Sequence, residues 1–200
     1  MTETTDIQVA DKGLQLRSLS DMKDFAQQVI KSKLAPRSFD TPEKILIAIQ
    51  HGAEVGLTPM ASLQAMAVIQ GKACFYGDAL PGLVQASGKG YIEERFEGEG
   101  VEGTAFCVGH RLKPDGKEYF TQERSFSVAE AKHAGLWGKS GPWKSYPKRM
   151  LQMRARGYLI RDMFADVLSG IAVAEEVRDY DVTVTPGATI SDMTTVGTSA

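Results

Sequence analysis

The apolar positions in the first third of the chain recur at steps of three and four, a spacing typical of amphipathic helices. This spacing predicts one helix over residues 20–33 and a second that begins at Thr41-Pro42 and ends at Gly56. Threonine is a favoured N-cap, proline fits the first helical turn, and glycine readily takes the left-handed conformation that closes a helix. Thr58-Pro59 repeats the start signal and predicts a short third helix through Gln64.

Beyond these helices the pattern changes to that of β-strands. Residues 67–70 and 73–76 flank Gly71-Lys72, which predicts a tight hairpin, and a short helix over residues 78–88 follows. Lys113-Pro114-Asp115-Gly116 has the residue order of a β-turn and separates two of the later strands. Three longer strands are predicted, at 91–97, 103–112 and 117–126. They form an antiparallel meander, and nothing in the pattern requires a parallel crossover.

The pattern after the meander is helical again. Ser127 and Glu130 form a capping box that predicts a short helix to Ala134, and a glycine-rich loop then leads to Gly141-Pro142-Trp143. An apolar stripe at helical spacing follows, formed by Tyr146, Met150, Met153, Gly157, Ile160, Phe164, Val167 or Leu168, and Ile171. We therefore predict one long helix through Ile171 that packs against the rest of the protein by this stripe.

Four arginines lie at the borders of the apolar stripe. At about 100° per residue, Arg149 and Arg156 fall on one border and Arg154 and Arg161 on the other. Arginine stems lie along apolar surface while their charged ends stay in water. The helix is therefore predicted to present its cations on two exposed flanks.

The charge of the chain is concentrated in this segment. The whole chain has 23 Lys+Arg and 25 Asp+Glu, a net charge of −2. Residues 131–161 contain eight basic and no acidic residues, so this window carries +8 and the remainder −10. A basic segment of this kind indicates binding of a polyanion. The alternative is an ordinary solvated helix face, but no Asp or Glu lies four residues away to offset the repulsion between like charges.

These elements predict an α+β fold, in which an antiparallel meander and hairpin sheet packs against helices that include a long basic one. A single domain is predicted over residues 19–176. Residues 1–18 are polar and aperiodic, which is typical of a flexible arm, and residues 177–200 form an acidic and polar segment that we expect to be disordered.

The motifs of common catalytic sites are missing from the sequence. It has no GxxxxGK[ST] phosphate-binding loop and no GxSxG nucleophile elbow, and its three histidines are scattered. Asp78, Asp115 and Glu123 are the candidate ligands of a metal-dependent nuclease, yet they occupy caps, turns and strands where acidic residues are common. We therefore predict a protein that is not an enzyme and has no metal site.

The cysteines and the apolar runs indicate the compartment. Cys74 and Cys107 are isolated, which favours reduced thiols over a disulfide framework or a zinc site. No apolar run reaches the ~18–20 residues of a membrane helix, and the N-terminus lacks the pattern of a signal peptide. These features predict a cytoplasmic protein that makes no contact with a membrane.

Two blocks of the sequence resemble the RecT family of phage single-strand DNA annealing proteins. The first is Glu54-Val55-Gly56-Leu57-Thr58-Pro59, and the second is Gly141-Pro142-Trp143 followed by paired basic residues. The resemblance covers about residues 40–175. Better-known members have a basic motif beside the second short helix, where this chain has Gly77-Asp78-Ala79. The chain therefore resembles a divergent branch of the family.

The resemblance implies a function and a set of partners. Family members bind single-stranded DNA in a narrow positive groove between a sheet and a long helix. They assemble into rings or filaments and anneal the bound strand to its complement without ATP, through an annealed duplex intermediate. The resemblance also implies a phage exonuclease and the host single-strand-binding protein as partners in the bacterial cytoplasm. It implies no cofactor, with Mg²⁺ acting only as an ion that bridges phosphates.

The predicted DNA-binding residues come from the basic segment and from the strands beside it. The leading candidates are Lys144, Lys148, Arg149, Arg154, Arg156 and Arg161. Lys72, Lys139, Arg111 and Arg124 form a second group, and each of these four fits an ordinary exposed cation equally well. Annealing needs free base edges, so we expect Trp143 and Tyr146 to be structural wedges and Trp137 to touch DNA or a neighbouring subunit.

Three alternatives to an annealing protein remain at this point. The first is a module that coats single strands without annealing them, and the second is the metal-dependent nuclease. The third is a structural phage protein whose basic helix binds an acidic partner chain. Acceleration of strand pairing without nucleotide separates an annealing protein from the coating module. Loss of substrate length in Mg²⁺ would reveal the nuclease, and the structural protein predicts oligomerisation that is indifferent to DNA.

Overall fold

The computed structural model describes residues 9–10, 13–14 and 16–179 and shows the predicted α+β fold. The predicted arm over residues 1–18 lies mostly outside the described residues, as does the predicted tail beyond Asp179. Residues 177–179, which we assigned to the tail, instead belong to a helix with a buried Val177. Packed structure therefore extends at least to Asp179, and the bounds of the domain stay a prediction.

The described chain contains nine α-helices. They are α1 (Leu19–Lys31), α2 (Pro42–Glu54), α3 (Pro59–Ala65), α4 (Leu80–Ala86), α5 (Val128–His133), α6 (Pro142–Ser145), α7 (Pro147–Met163), α8 (Ala165–Leu168) and α9 (Ala174–Asp179). The predicted caps are confirmed: the Thr41 hydroxyl accepts from the Lys44 amide at 3.3 Å, and Ser127 and Glu130 form the reciprocal capping box. Gly56, which follows α2, has the expected positive φ of 81°.

The strands form a two-stranded pair and two three-stranded sheets. They are β1 (Val9–Ala10), β2 (Gly13–Leu14), β3 (Met66–Ile69), β4 (Lys72–Phe75), β5 (Gly90–Glu97), β6 (Thr104–Leu112), β7 (Glu118–Ser127) and β8 (Ala172–Val173). β5, β6 and β7 form the predicted antiparallel meander. β3 and β4 form the predicted hairpin, but its turn is Gln70-Gly71 and lies one residue earlier than expected. The register that pairs Met66 with Phe75, both fully buried, fixes this position.

The hairpin sheet contains one parallel pairing that the pattern did not predict. β8 lies beside β4, with Cys74 opposite Ala172 and Phe75 opposite Val173. The chain reaches this position after Ser169 and Gly170, which both have positive φ and end α8. A strand of two residues is too short to show alternation, so our expectation of antiparallel pairing alone was wrong for this sheet.

α7 is buried on more than one side, which corrects the prediction of a single buried stripe. Gly157 faces the Glu176 carboxylate of α9, and Leu159 faces Gly109 of β6. Gly157 and Leu159 are two positions apart, so they point in directions that differ by about 200° around the helix axis. α7 therefore lies between the meander sheet and α9. Tyr146 was expected at the start of the buried stripe, but it is 69% exposed.

The predicted long helix is divided into three. Tyr146 separates α6 from α7 with φ −138° and ψ 55°, and Phe164 separates α7 from α8. Tyr146 precedes Pro147, and the proline ring disfavours the helical conformation for the residue before it. Both Pro142 and Pro147 occupy the first turn of a helix, as predicted.

Candidate nucleic-acid interface

Arg156 is buried where α7 packs on the meander sheet, with 4% of its side chain exposed. Its Nε and Nη2 donate to the two carboxylate oxygens of Glu94 on β5 at 2.8 and 2.6 Å. Its Nη1 donates to the carbonyl of Gly77 at 2.7 Å. The structure contradicts our placing of Arg156 on an exposed flank, because its guanidinium is enclosed and bonded on two sides.

Arg149 shares a carboxylate with Arg156. Asp78, which precedes α4, contacts Nη2 of Arg149 and lies 3.4 Å from Nη1 of Arg156. The Arg149 side chain is 45% exposed, so part of its guanidinium faces solvent. Asp78 lies in the block where the chain departs from the family that it resembles. An acidic side chain at this position neutralises one of the arginines that we expected to bind DNA.

Arg154 is held by the last described residue of the chain. Its Nη2 lies 3.0 Å from Asp179 Oδ2, and the two side chains are 7% and 6% exposed. The Trp143 indole Nε1 donates to both oxygens of the same carboxylate, at 3.0 and 3.1 Å. Arg154 therefore joins α6, α7 and α9, and this buried position also contradicts the exposed flank that we predicted.

Arg161 completes the pairing between α7 and α9. Its Nη1 lies 3.0 Å from Oε2 of Glu176, whose side chain is 3% exposed. The other carboxylate oxygen of Glu176 lies against Gly157 and has no hydrogen-bond partner within the described residues. Burial raises the pKa of Glu176 above its usual value, although Arg161 and Arg154 oppose the shift.

Replacement of Glu176 by glutamine is therefore expected to stabilise the protein at pH 7. A carboxyl group whose pKa is raised on folding favours the folded state below its unfolded pKa of about 4.3, and this contribution is lost as the pH rises through the folded pKa. In urea unfolding, the increase in the free energy of unfolding caused by Glu176→Gln should therefore become smaller as the pH falls towards 4. Glu102→Gln, at an exposed site, should change the free energy of unfolding little at either pH. A variant that is less stable than wild type at pH 7 would mean that the Arg161 pair dominates.

Arg111 and Arg124 lie on the face of the meander sheet that packs against the helices. Arg111 donates to both oxygens of Asp166 at 2.7 and 2.9 Å, and Arg124 donates to Asp162 at 2.7 Å. The hydrogen bonds from Arg111 and Lys89 hold the pKa of Asp166 well below its usual range. Both arginines, which belong to the second group of predicted DNA-binding residues, are thus already paired with a carboxylate.

The four arginines of α7 share a property that sequence spacing did not reveal. Each forms a salt bridge with a carboxylate from another part of the chain. The pairs are Arg149 with Asp78, Arg154 with Asp179, Arg156 with Glu94, and Arg161 with Glu176. Compensation within four residues along the helix, the range of local ion pairs, does not include these partners. The acidic residues that offset the basic window come from the rest of the chain, which carries the opposite charge.

Lys144 and Lys148 differ from these arginines. Both are exposed, and within the part of the chain that the structure describes neither takes part in a salt bridge. The Lys148 ammonium lies 4.5 Å from the centre of the Phe96 ring. Lys139 is half-buried in the loop before α6, close enough to Arg149 to line the same cavity of about 280 Å³. These cations gather around the start of α7.

Lys72 belongs to a different sheet from the one that packs against α7. It is exposed at the first position of β4, opposite Ile69, in the hairpin sheet rather than the meander. We had placed it on the hairpin turn, so its position differs by one residue from the prediction.

The three aromatic side chains near α7 have different environments. Trp143 is buried with 2% exposed and bonded to Asp179, as expected of a structural wedge. Tyr146, predicted as a second wedge, is exposed instead. Trp137 is half-buried and lines a cavity of about 480 Å³ together with Phe96 and Lys148. Phe96 was not among the predicted site residues, because its strand pattern marks it only as an inward-facing residue.

The candidate nuclease ligands do not come together. Within the described residues, no group of three or more His, Cys, Asp or Glu side chains is placed to hold a metal ion. Asp78 pairs with arginines of α7, and Glu123 lies 2.5 Å from Arg95. Cys74 and Cys107 are free and buried, and burial raises the pKa of Cys107 to about 12. In the same residues no helix combines the length and apolar character needed to cross a membrane.

Comparisons with known proteins add no further constraint: no family model, no curated protein and no solved structure matches this chain. The resemblance to the RecT family therefore remains a prediction from the two sequence blocks.

Proposed function

We propose that this protein binds single-stranded DNA and anneals complementary strands without ATP, acting as a homo-oligomer. The observation that carries the proposal is the pair of exposed lysines, Lys144 on α6 and Lys148 on α7, of which Lys148 lines a cavity together with the half-buried Trp137. Ammonium groups that are not engaged by carboxylates attract phosphates at little desolvation cost. The two sequence blocks that resemble the RecT family extend the proposal from binding to annealing.

The proposed binding surface is the basic end of α7, by which we mean Lys139, Lys144, Lys148 and the exposed part of Arg149. In this proposal the buried Arg154 and Arg156 hold the scaffold rather than DNA. Contacts to phosphates fix the backbone without reading sequence, and they leave the base edges free for pairing with a complement. In this proposal the positive groove lies at this end of α7, whereas the resemblance implies a groove between the sheet and a long helix.

The proposal includes no resident cofactor, and Mg²⁺ would act only between phosphates. A phage exonuclease and the host single-strand-binding protein are proposed partners in the cytoplasm, on the strength of the resemblance alone.

The experiment is annealing of two complementary oligonucleotides that carry a donor and an acceptor dye. We expect the protein to accelerate energy transfer well above the spontaneous rate, without nucleotide and in proportion to protein concentration. Moderate salt should weaken the acceleration, because phosphate contacts release counterions. The variant with Lys144→Gln and Lys148→Gln should lose most of the effect.

The other outcomes identify the alternatives. Binding without acceleration would reduce the protein to a coating module. Shortening of the oligonucleotides in Mg²⁺ would identify a nuclease, and absence of binding would leave the basic end of α7 for an acidic protein partner.

A further inference from the structure

The cavity beside the basic end of α7 has the composition of a site for a flat apolar group. It has a volume of about 480 Å³ and is bounded by Phe96, Trp137, Pro147, Lys148 and Leu151, together with residues of the β5–β6 loop. Ligand sites in proteins are typically clefts of about 300–1,000 Å³ with aromatic and apolar walls and a few polar groups. By size and lining, the cavity belongs to this class.

The charges at the cavity favour a neutral occupant. Lys148 and Glu99 are the charged side chains among its described lining residues, and their charges cancel. A phosphate inside would lie against apolar walls and a carboxylate, which is unfavourable. A phosphate outside would meet the exposed lysines of the basic end of α7. The cavity and the surface therefore suit the two different parts of one nucleotide.

We propose that the cavity between Phe96 and Trp137 takes one unstacked base of the bound strand, while Lys148 contacts a phosphate next to that base. This inference rests on the proposed function and deepens it. Every base has an aromatic face, so stacking on these rings requires no particular sequence. One base held per subunit would anchor the strand and leave the other bases free to pair.

The cavity is built on rigid parts of the protein. The Phe96 ring lies so close to Gly103 that a Cβ at this glycine would be 2.8 Å from Cζ of the ring. Leu151 is fully buried at the first turns of α7, and the Trp137 amide donates to the Ala131 carbonyl at 3.1 Å. The Lys148 ammonium lies 4.5 Å from the centre of the Phe96 ring, so it must turn from the ring towards the phosphate as the base enters.

The test combines photochemical cross-linking with variants of the full chain. A thymidine oligomer that carries 5-iododeoxyuridine is bound to the wild-type protein, irradiated and digested, and we expect the cross-linked peptides to contain Trp137 or Phe96. Trp137→Leu and Phe96→Leu keep apolar bulk but remove the ring, and each should weaken binding of a thymidine oligomer at least five-fold. Binding of an abasic oligomer with the same number of phosphates should be unchanged. Tyr146→Leu, at an exposed aromatic residue outside the cavity, is the matched control.

The outcomes separate this inference from the proposed function. If wild type binds the thymidine oligomer but cross-links only elsewhere, and the two leucine variants bind like wild type, the cavity holds no base and the proposed function still stands. If the leucine variants change the oligomeric state but not DNA affinity, the cavity takes a side chain of a second copy. If wild type binds neither oligomer, the proposed function fails and the inference fails with it.

Discussion

Replacement of Arg156 by methionine is expected to lower the free energy of unfolding by about 3–5 kcal/mol. Methionine keeps an unbranched apolar stem but removes the group that pairs with Glu94 and donates to Gly77. The Glu94 side chain is 22% exposed, so its charge would be left without a partner and only partly in contact with water. Urea unfolding at pH 7 measures the loss.

Arg149→Met is the matched control for this prediction. Arg149 also contacts Asp78, but the two side chains are 45% and 70% exposed, and such pairs contribute at most about 1 kcal/mol. Adding Glu94→Leu to Arg156→Met should recover part of the loss, because it removes the stranded charge but does not restore the hydrogen bond from Arg156 to the Gly77 carbonyl. Equal stabilities for the Arg156 and Arg149 variants would contradict the buried role of Arg156.

Replacement of Asp179 by alanine is expected to destabilise the protein by a similar amount, about 3–5 kcal/mol. The change leaves the buried Arg154 without its carboxylate and the Trp143 indole without its acceptor. The Nε of Arg154 already has no hydrogen-bond partner within the described residues, so the change removes the carboxylate with which Arg154 forms its salt bridge from an incompletely bonded guanidinium. Thermal and urea unfolding of the full chain both report the effect.

The neighbouring residue provides the comparison. Arg178 is exposed on the same helix and lies over the Tyr76 ring at 5.5 Å, so Arg178→Ala should cost no more than about 1 kcal/mol. The destabilisation caused by Asp179→Asn should lie between those of Asp179→Ala and Arg178→Ala, because the amide oxygen of asparagine still accepts from Trp143. If Asp179→Ala and Arg178→Ala lowered the free energy of unfolding equally, the contacts of Asp179 would contribute little to stability. That result would agree with our assignment of residues 177–179 to the tail.

Local rules predicted much of the fold. The Thr41 cap, the Ser127–Glu130 capping box and the turn closed by Gly116 each depend on residues within four positions of one another, and all three are present. The order and type of the main helices and strands follow from the same short-range spacing. The two-residue β8 escaped prediction because its partner β4 lies about a hundred residues earlier in the chain.

The environment of the arginines could not be predicted in this way. The hydrogen bonds from Arg156 reach residues 62 to 79 positions away, and spacing along a helix contains no information about such partners. Two signals did exist in the sequence. The charge outside the basic window sums to −10, and three acidic residues, Glu175, Glu176 and Asp179, follow the helix closely.

The choice between arginine and lysine was a third signal. The middle of α7 has arginines, whose planar fork suits buried bidentate pairing, as between Arg156 and Glu94. The approach to α7 has lysines at 139, 144 and 148, and an ammonium group is strongly hydrated and favours the surface. The basic window thus divides by residue type into buried or paired arginines and exposed or half-buried lysines, and Arg149, which is paired but 45% exposed, belongs to both groups.

The central claim is that the basic end of α7 holds the DNA phosphates. The most direct test is the affinity for a thymidine oligomer as a function of salt, for wild type and for two double variants of the full chain. With Lys144→Gln and Lys148→Gln, the slope of log affinity against log salt should become shallower by about 1.4, because two phosphate contacts are lost. With Lys31→Gln and Lys33→Gln, which remove two exposed lysines near the end of α1, the slope should stay as in wild type. An unchanged slope for the first variant, or an equal change in both, would contradict the claim.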